Sequence, residues 1–340
     1  MNENFSPKVS VIIPMYNAEK YLSVCLESLL IQTFTDYEVI VVNDCSMDNS
    51  CAIAESFLEK FGGRLKIIML PENTGSGAVP RNVGLKNACG KYVFFMDSDD
   101  LIIDIALETL FKYAEEYQAE VIYMDCVFTC GSEPIPKNIK AAAWDPNDIV
   151  GEPTFESEDI AVRVEKFLNV RYKWPPWGKF LRRDFLIDND IKFPRMQISE
   201  DGLWTLELAC LAKKFLRIPD PLYVQRKNET SMTRQNRTPE QEIIFWTSPL
   251  IKGVEALEKF MCRLNFFQQN FDLRLQVLVF FIKIQLDEME KVLTYLKPIE
   301  VYETILREFS KTKSTQPALI ACLIVMTNIY RQTLKERENS

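Results

Sequence analysis

The stretch Lys91 to Leu101, KYVFFMDSDDL, passes from an apolar run directly into three carboxylates, Asp97, Asp99 and Asp100, with Ser98 between the first two. Residues two apart on an extended chain point the same way, so Asp97 and Asp99 can face one point while Ser98 faces away. Such a pair suits a hard divalent cation that keeps waters and also takes phosphate oxygens, Mg²⁺ or Mn²⁺ rather than zinc. The same residues also suit a plain polar loop in which Asp100 or Ser98 caps the next helix and no metal binds. Glu200 and Asp201, which follow Ser199 in the ISEDG turn, form a second candidate centre. Their position in a first helical turn is favourable for carboxylates on dipole grounds alone. The chain has no histidine. Ser-His-Asp and Cys-His machinery is therefore excluded, and a general base must be Asp, Glu, Lys, Tyr or Cys.

These groups need elements to hold them. Tyr92 to Met96 has the aromatic and β-branched content of a strand buried on both faces, and the acidic residues fall at its carboxyl end, the ligand edge of an open α/β sheet. Upstream, VSVIIP (9–14) and YEVIVVN (37–43) read as strands, Ala18 to Ile31 as a helix with Leu22, Leu26, Leu29 and Leu30 in register, and Leu65 to Leu70 as a third strand. Asp48, Asn49 or Ser50 can cap the helix that carries Ile53, Phe57 and Leu58. Gly75, Gly77 and Pro80 mark a turn into a helix whose first turn holds Arg81 and Asn82. The dipole disfavours a cation there, so a negative ligand or a nearby carboxylate is the expected compensator, unless Arg81 is simply a surface residue. Strands alternating with helices predict a doubly wound, mostly parallel sheet.

Further along, Ile105 to Tyr117 reads as a helix, Glu120 to Asp125 as a strand and Ser157 to Val170 as a helix. Gly131 to Pro153 reads as an irregular excursion, a functional loop, lid or insert. Trp174 and Trp177 flank a double proline, and Ser199 is an N-cap before a leucine-rich helix. Leu222 to Arg226 is a last strand. From Pro239 onward four helices are expected: Glu240 to Phe260, Phe271 to Lys297, Ile299 to Phe309 and Ala318 to Lys335. The expected division is a sheet domain over 1–235 and a helical region over 236–340, with the boundary near Arg234 to Pro239.

Composition narrows the class. The 340 residues are 47% hydrophobic and 26% charged, as in an ordinary globular protein, and the formal net charge is -8. With a pI near 5.0, nucleic acid is not an expected partner. The nine cysteines include no CxxC pair, which excludes the usual zinc frameworks and fits reduced cysteines in a cytoplasmic protein. MNENFSPKVS lacks the basic-then-apolar pattern of a secretory signal, and no run reaches the roughly 20 apolar residues needed to span a bilayer. The turn after the first strand, MYNAEKY, has no glycine, against a nicotinamide-dependent dehydrogenase.

VSVIIPMYNAEKYLSVCLESLLIQTFTDYEVIVVNDCSMDNS and LPENTGSGAVPRNVGLKNACGKYVFFMDSDD resemble the two opening blocks of the family-2 glycosyltransferases of the GT-A fold. WGKFLRR, the SEDG turn, and Arg226 with Ser231, Met232 and Thr233 are similar to weaker signals of that family. The resemblance covers about the first 235 residues. It implies a GT-A type, doubly wound α/β domain that uses a UDP-sugar donor with Mn²⁺ or Mg²⁺. It further implies that Pro14, Tyr16 and Asn17 line the base pocket, that Asp44 binds the uracil, and that Asp48, Arg81 and Ser98 belong to the donor site. Asp97 and Asp99 match the DxD carboxylates that handle ribose and metal, the latter as the direct metal ligand. Asp201 matches the catalytic base, with Glu200 beside it on the acceptor side. Arg226 is a candidate for the diphosphate or a solvated arginine after a strand. Trp177 and Lys179 are acceptor-site candidates or packing residues.

The reaction so implied is inverting transfer of a single sugar to a glycan or lipid-linked glycan acceptor, in bacterial surface polysaccharide synthesis. The QxxRW motif of processive synthases is absent from the sequence. A sugar nucleotidyltransferase would need a glycine- and basic-rich loop after the first strand, which MYNAEKY is not. A catalytically inactive partner subunit is the other alternative, against which Asp44, Asp97, Asp99 and Asp201 all stand. Stripes on the late helices fit core, a homodimer seam or peripheral contact with the inner face of a membrane.

Overall fold

The computed structural model describes residues 6–310 except 229–235, 294 and 297. The expected helix 318–335 and the Ser231, Met232 and Thr233 signal lie outside the described residues. The first half runs β1 (Val9–Met15), α1 (Leu22–Leu30), β2 (Tyr37–Asn43), α2 (Ser50–Ser56), β3 (Leu65–Met69), α3 (Ala78–Asn87), β4 (Tyr92–Phe95), β5 (Leu101–Ile102), α4 (Ala106–Tyr117) and β6 (Val121–Met124). It continues with β7 (Cys126–Cys130), β8 (Lys140–Ala143), β9 (Thr154–Phe155), α5 (Ile160–Leu168), a 3₁₀ turn at Pro176–Gly178, β10 (Lys179–Arg182) and α6 (Arg183–Asp188). Then come α7 (Glu200–Leu211), β11 (Phe215–Ile218), β12 (Tyr223–Arg226), α8 (Pro239–Arg263), α9 (Asn265–Gln269), α10 (Phe271–Leu293) and α11 (Pro298–Ser310).

The chain divides into two compact units: Met1–Phe193 with Trp204–Arg234, and Pro194–Leu203 with Gln235–Ser340. In the first, an eight-stranded sheet has the order β3-β2-β1-β4-β10-β6-β11-β9. The pairs β3–β2, β2–β1, β1–β4 and β6–β11 are parallel, whereas β10 runs antiparallel to both β4 and β6, and β9 antiparallel to β11. Every residue of β4 is buried, as its unbroken apolar run requires of a strand covered on both faces. Val9, Val11, Ile13, Tyr92, Phe94 and Met96 cluster with Leu22, Leu26 and Leu29 of α1 and with Leu107 and Leu110 of α4. Fully burying a side chain such as Phe94 stabilises the fold by about 1.5–3 kcal/mol. On the other face Phe95 meets Phe193 and Trp204 edge-on. A Cβ on Gly84 of α3 would come within 2.2 Å of Ile12 Cγ2, so the close approach of this helix depends on the missing side chain.

A second, four-stranded sheet has the order β5-β12-β7-β8. The excursion 131–153 is thus only partly irregular: β8 within it pairs with β7. Such a short alanine-rich strand carries no periodicity, so its pairing is a tertiary outcome.

In the second unit α8 begins at a capping box, Thr238 with Gln241. A Cβ on Gly253 would meet the Phe281 ring at 2.4 Å, so α8 and α10 approach over bare backbone. Buried Gln285 exchanges hydrogen bonds with the Ser199 hydroxyl at 3.1–3.2 Å. Ser199 has φ +66°, outside the extended conformation of an ordinary N-cap.

Candidate active site

One hydrogen bond past β4, Met96 N–H donates to Ile12 O at 3.0 Å; the chain then turns, closed by Asp100 N–H to Asp97 O at 3.2 Å. The carboxylates therefore converge through a turn. This corrects the expectation of strand alternation, and it brings Asp100 into the group, with carboxylate oxygens of Asp97, Asp99 and Asp100 all within 4.8 Å of one another.

Each carboxylate has a different protein partner. Asp97 Oδ1 accepts from Arg81 at 3.0 Å, so the carboxylate that compensates Arg81 in the first turn of α3 is Asp97 itself. Asp99 Oδ2 accepts from Asn228 Nδ2 at 2.7 Å. Asp100, only 3% exposed, is saturated: Oδ1 accepts from Arg226 N–H and Oδ2 from the Tyr223 hydroxyl, both at 2.7 Å. That hydroxyl also accepts from Asp97 N–H at 3.1 Å. Burial pushes the Asp100 carboxyl well above the ordinary range, and the neighbouring charges of Asp99 and Asp97 add to the shift. Asp99 is raised for the same reasons, burial first and then Asp97, with the Asn228 hydrogen bond pulling the other way. Hard oxygen donors crowded so that they repel one another fit a divalent cation, which would relieve that repulsion.

Arg226 is neither solvated nor on an open surface. It is 4% exposed, donates from Nε to Asp99 O at 2.7 Å and from Nη1 to Glu133 O, and lies 4.9 Å over the Tyr21 ring. Nη2 is buried and finds no partner among the described residues. An unpaired buried guanidinium N–H is costly.

The loops after β1 and β2 are laced together. Asn17 (φ +47°) receives Met47 N–H on its side chain and donates its own N–H to Ser46 Oγ. The Asp48 carboxylate accepts from Glu19 N–H and from the N–H and hydroxyl of Ser50. Burial alone would raise Asp48, but these hydrogen bonds, that of Ser50 foremost, hold it below the usual carboxylate value. The buried carboxylate of Asp44 accepts from Thr74 N–H at 3.0–3.1 Å, fixing the loop that enters α3. Pro14 ends this arrangement within β1, half-buried, and Tyr16 is exposed just beyond it. Ser98 is half-buried in the acidic turn.

The acceptor-site reading of Trp177 and Lys179 is not what their surroundings favour. Trp177 is 4% exposed, stacked 4.4 Å from Tyr223 at 8° and packed against Trp144 at 5.1 Å. Lys179 is fully buried, with its ammonium donating to the carbonyls of Lys173, Trp174 and Pro175 at 2.8, 3.2 and 3.0 Å and lying over the Tyr123 and Trp204 rings. Both are packing residues: the tryptophan fills the core, and the lysine ties together the carbonyls of 173–175, two of which also accept from the Thr205 hydroxyl and Gly178 N–H. Glu200 and Asp201 lie in the first turn of α7 and belong to the second unit. Tyr223 and Asn228, which grip the acidic turn, went unmarked in the sequence reading. They flank Arg226 in YVQRKN, a segment with no spacing that signals a partner so far upstream.

The family model "Glycosyl transferase family 2" matches residues 10–171. The uncharacterised glycosyltransferase EpsJ of Bacillus subtilis is 30% identical over 279 residues, covering 76% of this chain and 75% of that one. TarS of Staphylococcus aureus, a poly(ribitol-phosphate) β-N-acetylglucosaminyltransferase, is 34% identical over 221 residues, which span 64% of this chain but only 35% of TarS. The crystal structure of S. aureus TarS 1–349 in complex with UDP-GlcNAc superposes with a TM-score of 0.57 at 26% identity, covering 89% of both chains. With these relatives and a mostly parallel α/β sheet that matches TarS, the chain belongs to glycosyl transferase family 2 and is a glycosyltransferase.

Proposed function

We propose that the protein transfers one sugar from a UDP-sugar to a glycan or glycolipid acceptor with inversion at the anomeric carbon, in bacterial surface polysaccharide synthesis. The observation that carries this reading is the acidic turn at the end of β4, where three carboxylates lie within 4.8 Å beside Arg81. Similarity to a protein crystallised with UDP-GlcNAc supports the choice of nucleotide. Pro14, Tyr16, Asn17 and Asp44 take the base, and Asp48 braces the two loops that carry them. Arg81, in the first turn of α3 and paired with Asp97, meets the donor's negative charge, with Ser98 and the Arg226 guanidinium behind it. Asp97 and Asp99 hold Mn²⁺ or Mg²⁺. When bound, that ion supplies Lewis-acid neutralisation of the charge that builds on the departing UDP.

Asp201 takes the acceptor hydroxyl's proton as its oxygen attacks the anomeric carbon. Attack from the face opposite the leaving UDP turns an α-linked donor into a β-glycoside, the product type named for TarS. Glu200 lies on the acceptor side. A cytoplasmic position, at the inner face of the membrane when the acceptor is lipid-linked, completes the reading; among the described residues no helix is long and apolar enough to cross a membrane. Phe271, Leu275 and Val279, exposed at successive turns of α10, support a homodimer seam in the helical region.

The test is a panel of UDP-sugars, beginning with UDP-GlcNAc, assayed for UDP release with Mn²⁺, Mg²⁺ or chelator and with candidate acceptors. Metal-dependent, acceptor-stimulated release is expected. Release indifferent to chelation would remove the metal, and no turnover of any UDP-sugar would remove the donor. In the same assay Asp201→Asn should slow transfer by about 10²- to 10⁴-fold while UDP and metal affinity hold; near-normal turnover would pass the base role to Glu200.

A further inference from the structure

Five hydrogen bonds join one short segment, Tyr223 to Asn228, to the acidic turn. The Tyr223 hydroxyl bridges Asp97 N–H and Asp100 Oδ2, Arg226 N–H reaches Asp100 Oδ1, Arg226 Nε reaches Asp99 O, and Asn228 Nδ2 reaches Asp99 Oδ2. Four of the five fix the turn's backbone or the buried Asp100. Among the described residues, the bond from Asn228 alone lands on a carboxylate oxygen of Asp99. The segment is itself anchored: β12 lies between β5 and β7 in the second sheet, Lys227 N–H donates to Cys130 O at 3.2 Å, and Trp177 stacks on the Tyr223 ring.

We infer that Asn228 is a positioning residue for the divalent cation: by holding Asp99 Oδ2, it fixes the carboxylate orientation that presents Oδ1 to the metal. Tyr223 and Arg226 supply the rigid turn on which that orientation is set. The inference rests on the metal reading above and adds to it a residue that no motif of the family resemblance marks. Its chemistry is ordinary. A carboxylate with one oxygen tied to a neutral amide donor keeps its charge while losing a rotational freedom, so less is lost when the ion binds. An aspartate or a lysine at 228 could not play this part, the first for want of a donor and the second because its charge would compete with the cation.

The test titrates Mn²⁺ into the full-length protein in the presence of UDP, following the electron paramagnetic resonance signal of the free aqua ion. Metal-free UDP affinity and melting temperature are measured on the same samples. Asn228→Leu, which keeps the shape and removes the donor, should weaken Mn²⁺ binding by about 10- to 100-fold. Metal-free UDP affinity should stay at the wild-type value, while the melting temperature falls only slightly with the loss of one hydrogen bond to Asp99. Should Asn228→Leu fold poorly, Asn228→Ala reads the same quantity. Wild-type Mn²⁺ affinity in a folded variant overturns the inference. So does equal loss of metal-free UDP binding, which would make Asn228 a donor contact. Absence of Mn²⁺ binding by the wild-type protein would instead overturn the metal reading itself, and this inference with it.

Discussion

Around Arg217 the carboxylates of Asp125, Asp148 and Glu156 are all ion-paired, at 2.9, 3.2 and 3.3 Å, and Lys166 closes on Glu156 at 2.7 Å. Around the turn 97–100, among the described residues, one ion pair reaches a carboxylate, Arg81 to Asp97. Arg226 is just as close to the turn, yet it gives its Nε and Nη1 to backbone carbonyls. Burial raises the carboxyls of both Asp125 and Asp99. At Asp125 the next influence, the Arg217 hydrogen bond, pulls back; at Asp99 the next influence, Asp97, pushes the same way. Three acids whose charge is answered by side-chain cations make a joint between loops and strands. Three acids of which one, Asp97, is met by a side-chain cation among the described residues leave negative potential to be met by something else.

The sharpest way to break this contrast is Arg217→Ala. It would strand the carboxylate of Asp125, whose side chain is 2% exposed, while Glu156 keeps Lys166, and should cost about 3–5 kcal/mol in urea unfolding. A loss below about 1 kcal/mol would mean the cluster is not the joint described.

Asp99→Asn is the converse experiment and should cost function rather than fold. Mn²⁺ affinity measured by calorimetry should drop at least about tenfold, the scale at which even residues behind a metal ligand act. The metal-free variant should be no less stable than wild type at neutral pH. A folded-state carboxyl raised above its unfolded value favours folding below the ordinary carboxylate range and loses that contribution as pH rises through its folded value. The melting temperature of metal-free wild type relative to Asp99→Asn should therefore rise as pH is lowered from 7 toward that range. With Mn²⁺ present the trend should reverse, because protons compete with the ion. An unchanged difference at all pH values would show that Asp99 is not under the strain assigned to it.

The smallest effect belongs to Lys166→Met. Lys166 is partly exposed and Arg217 still holds Glu156, so a loss of about 1 kcal/mol is expected. A loss as large as that of Arg217→Ala would move the centre of the joint.

The strands β1 to β4 and the helices that follow them were legible because each is a local pattern: an apolar run, a turn and an apolar stripe. The acidic turn was legible for the same reason, although not its geometry. Strand alternation pairs Asp97 with Asp99, whereas the turn hydrogen bond from Asp100 to Asp97 adds a third acid. What sequence could not carry was long-range pairing. KFLR (179–182) has one apolar pair between charges, and nothing local says that it slots antiparallel between β4 and β6. Lys179 beside two tryptophans has the composition of a sugar site; only the three carbonyls around its ammonium disclose another use. Arg81 was readable as a cation in need of an anion, but the identity of that anion required the fold.

The antiparallel pairing of β7 with β8 bears on how such enzymes diversify. Cys126 faces Ala143 and Thr129 faces Lys140 in register, so both ends of the connecting residues 131–139 are pinned by one strand pair. A loop anchored so can grow or shrink at small entropic penalty, about 0.6 kcal/mol for each doubling. Insertions, deletions and exchanges between relatives can therefore accumulate in this one interval, while β4 and the acidic turn at its end keep their places. The architecture separates a part that evolution can rewrite from a part it must leave alone, and grafting residues 131–139 between family members is the recombination that this boundary invites.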